Sequence, residues 1–137
     1  MSSHLPTGDD TVQQYEDSLK MVQKFLRTDS SRLVVCGIDV NAQIGGPLTL
    51  AERQCIGQHI VGARNARGRR IVSKLVESGI QVADTFREQE HGEWTHTQIR
   101  EGVVAASRID HILTNALGKT HGAEIMDVPL GSNSTDH

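Results

Sequence analysis

A layered α/β fold is what this 137-residue sequence predicts, and three observations predict it. Apolar residues recur at helical spacing in two separate segments. Short apolar runs of strand length follow each of them. Joins rich in Gly, Pro, Ser and Asp punctuate the chain, and strands alternating with helices pack as layers.

Taken in order, Val12, Tyr15, Leu19, Val22 and Leu26 form one apolar stripe of a helix that ends near Arg27. Thr7, Asp9 and Asp10 offer capping oxygens at its start. Asp29-Ser30-Ser31 turns the chain into a strand expected from Arg32 to Ile38, and its run Leu33 to Cys36 reads as covered on both faces. Gly45-Gly46-Pro47 breaks the chain into a loop. A second helix is predicted over Arg67 to Ser78, with Ile71, Val72, Leu75 and Val76 inward and Gly79 as its stop. Strands follow over Ile80 to Asp84 and, after a polar turn from Glu88 to Gly92, over Trp94 to Ile99, with Trp94 assigned to the core. Arg108 to Thr114 is the clearest later strand, and Ala123 to Val128 a weaker one before Pro129. There is no repeat, heptad or low-complexity tract.

Composition narrows the functional classes. The apolar fraction of 36% and aromatic fraction of 3% are low for a self-sufficient domain. A net charge of −3 gives no whole-chain attraction to nucleic acid, although a divalent metal supplies local positive charge in phosphodiester enzymes. Cys36 and Cys55 form no CxxC pair and are too few for a disulfide framework, so Cys36 reads as a buried structural thiol. His59, His91, His96, His111 and His121 lack ligand spacing, which argues against a zinc site. With no signal-peptide pattern and no apolar run of transmembrane length, the expectation is an intracellular protein, the nucleus among its compartments, with no membrane partner.

Three acidic motifs carry the chemistry: Gly37-Ile38-Asp39-Val40-Asn41, Ser107-Arg108-Ile109-Asp110-His111-Ile112-Leu113 and Ser134-Thr135-Asp136-His137. A carboxylate set into an apolar run is costly to desolvate without a partner or a metal. Asp39 and Asn41, two apart at a strand end, project to one face, where a carboxylate can deprotonate a water and an amide can donate to a phosphate oxygen. The same pair would also suit a plain Asx turn. Asp110 shares a strand face with Arg108 and could simply form a surface ion pair with it. Asp136 beside His137 is a proton-handling or phosphate-stabilising pair, set at a chain end where fraying is common. Arg64, Arg67, Arg69, Arg70 and Lys74 make a basic cluster, open to a nucleic-acid backbone or to simple solvation of a helix face.

This ordered set resembles the endonuclease/exonuclease/phosphatase (DNase I-like) superfamily, and within it the endonuclease modules of non-LTR retroelements and craniofacial-development-protein-like sequences. Gly37 to Asn41 looks like the family's Gly-Asp-Phe-Asn element, Arg108 to Leu113 like Arg-Ile-Asp-Tyr-Ile-Leu, and Thr135-Asp136-His137 like Ser-Asp-His. Asn65-Ala66-Arg67-Gly68 and Trp94-Thr95 sit in the family's order, and His4-Leu5-Pro6 resembles the segment where many relatives carry Tyr-x-Pro. The resemblance implies a four-layer α/β/β/α sandwich with its N-terminal part, including a metal-binding Glu, missing from this chain. It further implies a Mg²⁺ (or Mn²⁺)-dependent phosphodiesterase acting on DNA. In that reading Asp39 activates water, Asn41 holds the phosphate, Asp110 orients His137, and Asp136 lies in the metal region. Arg67 and Thr95 would approach the substrate, and a reverse transcriptase module would share a longer parent protein. A non-catalytic, degenerate retroelement-derived module and a phosphatase of the same superfamily are the competing readings.

Overall fold

The computed structural model describes residues 2–4, 12–27, 32–89 and 94–115. In chain order these form β1 (Ser2–His4), α1 (Val12–Arg27), β2 (Val35–Asp39), α2 (Leu50–Arg53), α3 (Ala66–Ser78), β3 (Gln81–Val82), a 3₁₀ turn (Ala83–Thr85), β4 (His96–Arg100), β5 (Val103–Ser107) and β6 (Asp110–Thr114). The strand expected over Ala123 to Val128 lies outside the described residues, as do Asp136 and His137.

Both long helices form where the apolar stripes require them. Tyr15, Leu19, Val22 and Leu26 are buried along α1, and Ile71, Val72 and Leu75 along α3. Asn65 caps α3 by accepting from the Gly68 N–H, and Gly79 closes it with φ of 66°, a conformation glycine reaches without strain. The short α2 went unforeseen, although Thr49 caps it by accepting from the Glu52 N–H.

The sheet runs in the order β1-β2-β6-β3, with β1 parallel to β2 and the other pairs antiparallel. Cys36, Ile38, Val40, Val82 and Leu113 join the buried residues of both helices in one apolar core. The opposite face of β2 is more open, since Val35 keeps 43% of its surface, as does Leu33 just before the strand. The expectation of a strand covered on both faces therefore fails here: an apolar run tells of burial on one side or two only through what packs on it.

Other departures have local causes. The strand expected through Asp84 stops at Val82, because residues 83–85 tighten into the 3₁₀ turn that carries Asp84 inward. Trp94, assigned to the core, is 45% exposed. The predicted strand from Trp94 is instead the first arm of a hairpin, β4 paired with β5, whose turn residues Glu101 and Gly102 have φ of 51° and 78°. Two positive φ values in a two-residue loop match the twist of antiparallel strands. All of β4 is exposed, with Ile99, Val103 and Val104 open to solvent.

Gly68 fixes the approach of α3 to the loop after β2. A Cβ there would lie 1.9 Å from the Gln43 carbonyl oxygen, and Asn65 N–H donates to that same oxygen. Gly68→Ala is expected to destabilise by about 1–3 kcal/mol through overpacking, read as a lowered denaturant midpoint with unchanged slope. Gly79→Ala, where no neighbouring atom crowds the position, should cost about 1 kcal/mol from its backbone conformation alone.

Candidate functional site

The sheet register brings the first two acidic motifs together. Asp39 stands directly opposite Asp110 across the β2–β6 pair, and the backbone of His4 lies beside Asp39 in the same row. Opposed residues of an antiparallel pair have Cα atoms only about 4.5–5.5 Å apart and share a face. Both carboxylates are half-buried at the end of β2. Like charges directly opposite each other destabilise a sheet unless something neutralises them.

Asn41 completes the first motif. Its N–H donates to Asp39 Oδ1 at 2.9 Å, and its φ is 47°. The Asx turn weighed from sequence is thus present, and it holds both residues at the strand end rather than competing with a role there. Asn tolerates this left-handed conformation better than most residues.

Thr95 reaches the same place from the base of the hairpin. Its Oγ1 accepts from both Ile109 N–H (3.0 Å) and Asp110 N–H (3.1 Å), while its own N–H donates to the Ser107 carbonyl. Thr95 thereby grips the backbone of Asp110. Arg67 lies 5.2 Å from the centroid of the Tyr15 ring, and the Tyr15 hydroxyl donates to the Val40 carbonyl between Asp39 and Asn41. Burial pushes the Tyr15 phenol well above its ordinary range, against a pull downward from Arg67. It stays a proton donor to that carbonyl across the physiological range.

Beneath this row sits a buried cluster that sequence reading did not find. Asp84 Oδ2 accepts from Arg108 Nη2 at 2.5 Å and lies 2.9 Å from His111 Nδ1, while Oδ1 accepts from Ile112 N–H at 2.8 Å. A carboxylate only accepts, so the imidazole donates from Nδ1. Arg108 also donates to the carbonyls of Asp84 and His59. The surface pair between Arg108 and Asp110 is therefore corrected: Arg108 is 2% exposed and turns inward, and β6 begins only at Asp110. The available signal was a cation and an imidazole flanking an apolar run, but their carboxylate partner is 24 and 27 residues away in sequence.

The basic cluster divides. Arg64 is committed to structure, donating to Glu52 and to the carbonyls of Ile44 and Gly46, and its hydrogen bond is the main reason the Glu52 carboxyl lies below its ordinary value. Arg67, Arg70 and Lys74 remain on the α3 side toward α1. Burial pushes the Cys36 and Cys55 thiols up, so neither is primed as a nucleophile.

No family model matches the chain. No curated protein matches it. Among solved structures, the endonuclease domain of TRAS1, a telomere-specific non-LTR retrotransposon, is similar at 23% identity and a TM-score of 0.48 over 77% of this chain. The match spans 39% of that domain's chain. Among the described residues, no helix is long and apolar enough to cross a membrane.

The Asp84 cluster sets an acid limit on stability. Burial alone would raise the Asp84 carboxyl, but the His111 ring, then Arg108 and the Ile112 N–H, outweigh it and hold the carboxyl below its ordinary value. A folded value below the unfolded one, about 3.9, gives stability that is fully present above that pH and lost as pH falls through the folded value. Urea unfolding should show this loss on the acid side. In Asp84→Asn the acid-side slope should flatten, with a destabilisation of about 3–5 kcal/mol at neutral pH from the partly unpaired buried Arg108. Thr95→Val, which removes one acceptor from two N–H groups, should cost about 1–3 kcal/mol by the same measurement.

Proposed function

We propose that this chain is a phosphodiesterase module acting on nucleic acid, of the DNase I-like kind, with DNA as substrate and Mg²⁺ or Mn²⁺ as the metal. The observation that carries the reading is the opposition of Asp39 and Asp110 across one strand pair, with Asn41 turned against Asp39. Two carboxylates held face to face favour a site that receives positive charge. The motif likeness supplies the chemistry, and the four-layer sandwich belongs to the same proposal.

Among the described residues no group of three or more His, Cys, Asp or Glu side chains is placed to hold an ion. Asp39 and Asp110 alone fall short of the oxygen set that Mg²⁺ takes. The described residues do not make a complete metal site, so no step is assigned to the metal. In the proposed reaction Asp39 takes the proton of the attacking water, and the Asn41 amide donates to a phosphate oxygen. Asp110, held by Thr95, would orient the imidazole of His137 against the charge that builds on the phosphate, and Asp136 would contribute to the metal region. Arg67 would meet the nucleic-acid backbone.

The incomplete donor set favours one second reading, a degenerate module that retains the fold and has lost catalysis. Plasmid nicking separates the two. Residues 1–137 alone should nick supercoiled DNA negligibly. Joined to a DNase I-like segment that supplies a further acidic ligand, they should nick in a Mg²⁺- or Mn²⁺-dependent way. Asp39→Asn should then lower the rate by about 10²–10⁴-fold, the range of a lost general base. Rates indifferent to Asp39→Asn would leave the degenerate reading standing. In the same joined protein Mn²⁺ should raise the unfolding temperature, and Asp136→Asn should remove most of that rise.

A further inference from the structure

The seam between α1 and α3 concentrates positive charge on a chain whose net charge is −3. The seam is fixed at two points. Arg67 of α3 lies over the Tyr15 ring of α1, and Gln23 of α1 donates to the Lys74 carbonyl (3.1 Å) and Ser78 Oγ (2.7 Å) of α3. These pairings make the two helices run side by side in the same direction. At 100° per residue, Lys20 and Arg27 fall on the flank of α1 that carries Gln23, with Lys24 just beyond, and Arg70 falls beside Arg67 and Lys74 on α3.

Lys20, Lys24, Arg27 and Arg70 are exposed, and Arg67 and Lys74 are half-buried. Lys20, Gln23, Lys24 and Arg27 together line an open depression. The opposing carboxylates of these helices, Glu16, Asp17 and Glu77, are fewer than the cations. Two of them pair with cations near the surface, Asp17 with Lys20 at 3.9 Å, where Gln13 also donates to it, and Glu77 with Lys74 at 3.1 Å. Such pairs contribute little and yield readily to a stronger anion.

We infer that the α1–α3 seam is a track for the phosphodiester backbone of duplex nucleic acid, leading to the Asp39–Asp110 row. Each row of cations runs about 10 Å along its helix, the axial rise of roughly three nucleotides of one strand. The first turns of both helices lie toward the candidate site: Arg67 lies over the ring of Tyr15, and the hydroxyl of this buried tyrosine donates to the carbonyl of Val40, between Asp39 and Asn41. The neutralising charge is local, as a backbone contact requires. This inference rests on the nucleic-acid reading of the site and assigns the surface that holds the duplex outside it.

The test is fluorescence anisotropy of a labelled mixed-sequence DNA duplex, titrated with residues 1–137 across a series of salt concentrations. Lys20→Glu/Lys24→Glu/Arg27→Glu is compared with an equal charge change off the seam, Arg53→Glu/Arg87→Glu/Arg100→Glu. A neutral set, Lys20→Gln/Lys24→Gln/Arg27→Gln, and the thermal midpoint of each variant guard against misfolding. The seam variants should bind at least 10-fold more weakly, with the slope of log affinity against log salt shallower by up to about 2.7 for three lost contacts. The off-seam variant should bind at least 3-fold more tightly than the seam variant. Equal weakening by both sets, or anionic phospholipid vesicles bound in preference to the duplex, overturns the track. Seam variants that bind normally would sink the track and leave the catalytic reading intact, whereas lost binding with cleavage indifferent to Asp39→Asn would do the reverse.

Discussion

The Asp84 carboxylate is the constraint on which the site depends. It lies almost wholly buried and gathers a guanidinium, an imidazole and the Ile112 N–H. Two of those partners, His111 and Ile112, are consecutive residues of β6. The carboxylate therefore ties one strand to the turn after β3 and fixes which β6 residues face inward. Because a strand alternates its faces with a period of two, holding His111 inside forces Asp110 to the other face, opposite Asp39. A slip of one residue would bury Asp110 and expose the imidazole.

That dependence explains why several polar residues near the site are structural. Thr95 grips the backbone of Asp110, Tyr15 grips the carbonyl of Val40, and Gly68 lets α3 close on Gln43. Each acts on main chain at or near a candidate site residue. Arg64 does the same for the loop at Ile44 and Gly46. The site is thus assembled by backbone clamps drawn from different parts of the chain.

The helices were legible in the sequence because a 3.6-residue stripe states which face is buried without reference to anything else. Asp39, Asn41 and Asp110 were legible as polar breaks in apolar runs. The clamps were not. Ile80 to Asp84 has strand-like composition, and nothing local announces a turn drawn inward by a distant guanidinium and imidazole. A surface pair with Asp110 is the plain alternative for Arg108 in the sequence, since a guanidinium is rarely so buried without partners that the sequence does not show. The second arm of the hairpin was missed although Glu101-Gly102 before Val103-Val104 is a turn signal, because its strands lack the alternation that a half-buried sheet imposes.

The hairpin's exposure has a consequence for how this molecule can change. No residue of β4 is buried, so substitutions there leave the core's packing untouched and meet little penalty in stability. Its base is nonetheless clamped by Thr95 to the strand that carries Asp110. The arm can be rewritten residue by residue while its anchorage beside the candidate site stays fixed. It is a place where contact preferences could diverge between related chains without the fold having to be solved again.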